Sequence, residues 1–137
     1  MKLLTFQASS FSWRPFQRTL DDAPDAEAGE SAECVVVFVH AEKRDEDEER
    51  RGAVFKKTLK HVKWLANKRE MKNVVLHSFT HLGGDTADAA FAREFLAELR
   101  ERLEGTGYAV SVTPFGWFSS WSIDVYGESL AKVWKEI

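Results

Sequence analysis

A length of 137 residues suits one domain around one core, and 44% apolar with 30% charged residues is the ordinary balance of a soluble globular chain. The formal net charge of −3 excludes a general nucleic-acid binder by composition. No apolar run approaches the roughly 20 residues that span a bilayer, and the lone Cys34 excludes an intrachain disulfide. A lone cysteine fits a small core residue in a reducing cytoplasm. The apolar start, Met1–Phe6, is too short for a signal peptide, so a cytoplasmic location is expected.

Lys2–Gln7 is a short apolar run and predicts a first strand. Ser9–Phe16 alternates loosely through Phe11 and Trp13 and predicts a second strand or extended segment ending near Pro15. Asp21–Glu33 is acidic, holds Pro24 and Gly29 and has no period, which predicts a loop. Cys34–Ala41 is a β-branched run of the kind that forms a strand buried on both faces. Glu42–Arg51 is densely charged and predicts a loop and a solvated first helical turn.

From Glu48 to Arg69 the period becomes helical. Val54, Phe55, Leu59, Val62, Leu65 and Ala66 share one face, with Lys56, Lys60 and Lys63 opposite. Asn73–Phe79 predicts a strand and Gly83-Gly84-Asp85-Thr86 a turn, with Asp85 or Thr86 capping a helix that runs to Glu104 on a stripe of Phe91, Phe95, Leu96, Leu99 and Leu103. Gly105 and Gly107 stop it. Tyr108–Thr113 and Trp117–Tyr126 alternate as strands around a Pro114-Phe115-Gly116 turn, and Gly127–Ile137 predicts a short C-terminal helix. Strand–helix–strand–helix–strand in the middle implies parallel pairing, hence an α/β domain over 1–137 with a mixed sheet and helices packed on it.

Two strand ends carry the residues with chemical potential. His77-Ser78-Phe79-Thr80-His81-Leu82 leaves His81 beside a Gly-Gly turn, where an imidazole can face a cleft and orient or activate water. The alternative for His81 is a hydrogen-bonded structural histidine. His77 and His81 share a His-x-x-x-His spacing, but it begins in a strand and lacks a third ligand, so no metal and no cofactor are expected. No Gly-x-Ser-x-Gly elbow supports a serine esterase. Thr113-Pro114-Phe115-Gly116-Trp117-Phe118 presents aromatic faces of the sort that stack a base, with core packing as the alternative for at least one of them. The stretch Lys56–Lys72 has seven bases against Glu70 alone and can hold phosphates, or simply be a solvated face.

The His81-Leu82 turn after a central strand and the Pro114-Phe115-Gly116-Trp117-Phe118 run after a later one resemble, in order and separation, the N-terminal editing domain of archaeal-type threonyl-tRNA synthetase. That resemblance covers nearly the whole chain and implies a D-aminoacyl-tRNA deacylase-like fold. It implies hydrolysis of a mischarged aminoacyl-tRNA, without ATP, with His81 in the pocket. Main chain near Ala41, Glu42, Thr80 and Phe118 would frame the aminoacyl group, and Phe115, Gly116 and Trp117 would hold the terminal adenosine. The implied partner is the 3′ end of aminoacyl-tRNA; the chain would be either a free-standing domain acting in trans beside a threonyl-tRNA synthetase or a domain excised from one, and a homodimer is a further option. Three positions depart from the family pattern: Ser119 stands where the family has a lysine assigned to hydrolysis, Phe118 where it has a tyrosine, and Lys132 where it has an acid. Alternative readings are a non-catalytic tRNA-binding or assembly module and a D-aminoacyl-tRNA deacylase.

Overall fold

A computed structural model describes all residues, Met1–Ile137, and makes one strand of the first two predicted segments: β1 (Lys2–Arg18). β1 stays continuous because β2 (Gly29–His40) pairs with it from Lys2 to Trp13 in unbroken antiparallel register. The segment Gly29–Glu33, expected in the loop, is drawn into β2 by that pairing. Pro15 is tolerated because β2 has ended by then and only one neighbour remains to be satisfied.

The chain then forms α1 (Glu48–Asn67), β3 (Asn73–Ser78), α2 (Ala89–Glu104), β4 (Ala109–Val112), β5 (Trp117–Val125) and β6 (Lys132–Glu136). β2, β3 and β4 are parallel, as the α/β alternation predicts, and the main sheet order is β4-β3-β2-β1-β5. The mixed sheet with helices packed on it is the fold class expected from the strand–helix order. α1 and α2 bury the predicted stripes in a core of 22 residues, which includes Val62, Leu65, Phe95, Leu99 and Leu103. Thr58 and His61, not counted in the stripe, are buried with it; His61 Nε2 lies 3.1 Å from Thr5 Oγ1.

The C-terminal helix is a correction. After a short 3-10 turn (Ser129–Ala131), residues 132–136 pair antiparallel with Lys2–Phe6. β5 pairs with β1 only from Ala8 onward, so the edge of Lys2–Phe6 is left open and β6 satisfies it. Leu130, Val133 and Trp134 have helical spacing, but five residues gain little from helix propensity and much from a free sheet edge.

β1 also bends. The β1–β5 register shifts at Ser9 and at Phe16, each an extra residue on β1. Phe38 lies opposite Leu4 and Trp121 opposite Trp13, nine steps or roughly 30 Å apart along a straight strand. Their rings are nevertheless 5.3 Å apart. The far half of β1 and β5 therefore curl over the helix-free face. There they cover a second, six-residue cluster that includes Phe11, Cys34, Val36 and Val75.

Candidate functional site

Under that curl, at the carboxyl ends of β3 and β4, lies a cleft of about 330 Å³. Parallel strands end there while the chain turns away, so backbone and side chains face an open space. The two segments singled out in the sequence line it: His77–His81 leaving β3, and Thr113–Ser119 running from β4 into β5. Thr86, Ala87 and Ala92, at the approach to α2, complete one wall.

His77 and His81 do different things. His77 is 8% exposed, sits 4.9 Å from the Phe38 ring, and its Nδ1 is 2.8 Å from Thr113 Oγ1. Burial pushes its pKa down to about 4, so the imidazole is neutral at physiological pH. His81 is solvent-exposed and packs edge-on against Phe79 at 5.2 Å. Thr80, between them in the cleft wall, is also exposed. No three His, Cys, Asp or Glu side chains gather as a metal site anywhere in the chain.

The aromatic run divides in the same way. Gly116 has φ +83, and a Cβ there would lie 2.8 Å from Ala23 Cβ. Its carbonyl accepts the Thr19 amide at 2.7 Å, so the turn packs directly onto the segment after β1. Phe115 has the Arg93 guanidinium over its ring at 5.1 Å. Trp117 has Arg18 over its ring at 5.0 Å and donates Nε1–H to Pro24 O. Phe118 carries no such partner and is 58% exposed. The Ser119 hydroxyl is buried at the cleft and has no hydrogen-bond partner within the protein. An orphan hydroxyl of this kind costs about 1–3 kcal/mol unless something binds it.

Ala41 and Glu42 do not line the cleft. Ala41 O accepts the Ala87 amide at 2.9 Å, which ties the wall to β2. The Glu42 carboxylate instead takes the Met1 amine at 2.5 Å, Lys2, and Arg44 at 3.1 Å. Lys56, Lys60 and Lys63 are on α1 and none reaches the cleft; the cations that touch its aromatic rings are Arg18 and Arg93. Lys132 begins β6 and is exposed. Sequence reasoning missed Thr113 as the partner of His77. A threonine ending one strand and a histidine inside the next were the available signal, and only the β3–β4 pairing brings them together.

The fold is a single α/β domain with a mixed six-stranded sheet and a cleft at its parallel strand ends. Its path superposes on a solved structure of c-Myc DNA Unwinding Element Binding Protein with a TM-score of 0.61, covering 100% of this chain and 99% of that one at 14% identity, a likeness of fold alone. The family described as the archaea-specific editing domain of threonyl-tRNA synthetase matches residues 1–137, and this chain belongs to it. It is 31% identical to a threonine–tRNA ligase of Methanococcus maripaludis strain C7 and 30% to one of Thermofilum pendens. In both cases all of this chain and 22% of the ligase are covered, so the chain spans about a fifth of the length of the curated relatives it matches. A ligase of Methanopyrus kandleri is 28% identical over 97% of this chain and 21% of its own. No helix is long and apolar enough to cross a membrane.

Proposed function

We propose that this domain hydrolyses mischarged aminoacyl-tRNA, releasing L-serine from threonine tRNA. Water adds to the ester carbonyl and the bond to the ribose oxygen breaks; one proton of the water goes to the ribose oxygen, the other passes to solvent, and the amino acid leaves as its carboxylate. The ester is already activated, so no ATP is needed. A pocket distinguishes serine from threonine by one methyl, about 1–3 kcal/mol, and a second hydrolytic sieve is how such a small difference becomes fidelity.

The observation that supports this reading is the convergence of His81, Thr80 and the Ser119 hydroxyl on one cleft in a chain that matches an editing family end to end. His81 orients or activates the water from the open side of the cleft. Ser119, in the cleft lining, supplies a hydroxyl that has no hydrogen-bond partner in the free protein. The exposed ring of Phe118 stacks the terminal adenine, since the faces of Phe115 and Trp117 already meet arginines. Arg18 and Arg93 face the 3′-terminal phosphates, and Lys56, Lys60 and Lys63 meet the tRNA farther from its end. The domain works with a threonyl-tRNA synthetase, whether joined to it or in trans, as a monomer or a pair.

A second reading is favoured by Ser119 and Phe118, which stand where the family resemblance has a lysine and a tyrosine: a module that binds tRNA without cleaving it. Hydrolysis of seryl-, threonyl- and a D-aminoacyl-tRNA, all on threonine tRNA, separates them. Loss of serine with threonine spared supports editing. Loss of only the D-amino acid makes the domain a D-aminoacyl-tRNA deacylase, and tRNA binding without loss of any amino acid supports the second reading.

A further inference from the structure

The loop that carries His81 is fastened to the end of β2 by main chain at both ends, by Thr86 Oγ1 donating to Ala41 O at 3.4 Å, and in its middle by one buried side chain of β2. At its two ends the tethers are main chain: Phe79 N–H donates to Val39 O at 2.9 Å and Ala87 N–H to Ala41 O at 2.9 Å. Between them lie seven residues, Thr80 to Thr86, including Gly83 and Gly84, with no regular structure. His40, the last residue of β2, has no solvent exposure and reaches into this gap. Its Nδ1 accepts the Leu82 amide at 3.0 Å, and its Nε2 lies 2.5 Å from Asp85 O. An amide can only donate and a carbonyl only accept, so the ring is neutral with its proton on Nε2. His40 is the only side chain outside the loop that hydrogen-bonds it between Phe79 and Ala87.

The turn rests on the ring itself. A Cβ on Gly83 would be 3.3 Å from His40 Cε1 and 3.0 Å from Lys2 Nζ. Glycine at 83 therefore lets the backbone come close enough for both bonds to form. The two bonds bracket Gly83-Gly84, the part of the loop with the most freedom to move, and the first of them falls on the residue after His81.

We infer that His40 is a positioning residue for His81: a neutral imidazole clamping the Leu82–Asp85 turn so that His81 stays aimed at the cleft. This rests on the hydrolytic reading of the cleft. His40 touches no substrate; its whole effect passes through the loop. A displacement of about 1 Å of a reacting group costs on the order of 10²-fold in rate, so loss of the clamp lowers kcat about 10- to 100-fold and leaves KM nearly unchanged.

The test combines amide exchange with single-turnover hydrolysis of seryl-tRNA. His40→Ala is expected to speed exchange of the Leu82 amide at least 10-fold and to lower kcat. It should cost nothing further in a His81→Ala background, because coupled residues are not additive. His40→Asn places Oδ1 where Nδ1 was and keeps the Leu82 bond; His40→Gln places Nε2 near its original position and keeps the Asp85 bond. Each should recover part of the lost rate. If His40→Ala fails to fold, these two variants decide the question, and wild-type kcat in both overturns the proposal. Unchanged Leu82 exchange in His40→Ala, or the same rate loss with and without His81, also overturns it. Wild-type protein that releases no serine refutes the hydrolytic reading instead. The clamp is then judged by Leu82 exchange and by affinity for a non-hydrolysable 3′-amide analogue of seryl-adenosine, where unchanged values in His40→Ala overturn it.

Discussion

Replacing Glu42 by glutamine keeps the shape of the side chain and removes one charge from a buried cluster. Glu42 receives the Met1 amine at 2.5 Å, Lys2, and Arg44 at 3.1 Å, and its side chain is 7% exposed. Burial alone would raise its pKa, but the hydrogen bonds from Lys2, the Met1 amine and Arg44 outweigh burial and hold it at about 2. Against an ordinary glutamate value of about 4.3, at about 1.4 kcal/mol per unit, the ionised form contributes about 3 kcal/mol. Removing one partner from a buried ion pair costs a similar amount, about 3–5 kcal/mol, and Asp45 at 2.7 Å from the Met1 amine keeps the cost at the lower end. Glu42→Gln is therefore expected to lose about 3 kcal/mol at pH 7, and about 10 °C in Tm for a chain of this size. Because the folded pKa is depressed, this contribution is complete above about pH 5 and fades as pH falls toward 2. The gap between wild type and variant should narrow over that window, while titrating groups away from the cluster cancel in the difference. Urea unfolding followed by tryptophan fluorescence from pH 7 to 2.5 measures it. A gap below about 0.5 kcal/mol at pH 7, or one that stays constant down to pH 2.5, refutes the reasoning. The same cluster holds Lys2, on which the Gly83 turn rests, so the variant should also loosen the His81 loop.

His81→Ala should lower deacylation of seryl-tRNA by about 10²-fold at unchanged thermal stability, and an unaltered rate removes His81 from acid–base chemistry. Ser119→Ala deletes a buried hydroxyl without a partner, so it should leave stability equal or raise it by about 1 kcal/mol while slowing hydrolysis. A clear loss of stability in denaturant titration would mean the hydroxyl is satisfied after all. Gly116→Ala meets both a positive φ of 83° and a 2.8 Å approach to Ala23, so it should cost about 2 kcal/mol or more and shift Phe118; a melting temperature within 2 °C of wild type counts against the turn geometry.

Much of the site was legible as strand ends. Histidine beside two glycines and an aromatic run around Gly116 mark places where a sheet stops, and both segments line the same cleft. The placement of Ala41 and Glu42 differed for a physical reason. One carbonyl was already spoken for by Ala87, and the carboxylate had a stronger partner in the chain's own amine. Phe115 and Trp117 read as free aromatic faces because an arginine on another element leaves no mark in the local sequence; Arg93 on α2 and Arg18 on β1 meet them only after folding.

Local periodicity by itself determined the helices on α1 and α2, the parallel strands β2, β3 and β4, and hence the face that the core occupies. A period of 3.6 or a β-branched run is a property of neighbours in sequence, and burial of one face follows from it. Only the tertiary structure decided the rest. Residues 132–136 became a strand because β5 leaves part of the β1 edge unpaired. β1 became one bent strand because β2 runs unbroken beside it while β5 forces two bulges. His77 met Thr113, and His40 met the Leu82 turn, across 36 and 42 residues of chain. Hydrogen bonds of that range depend on which strand lies beside which, and that choice minimises unpaired backbone and exposed apolar surface over the whole sheet at once.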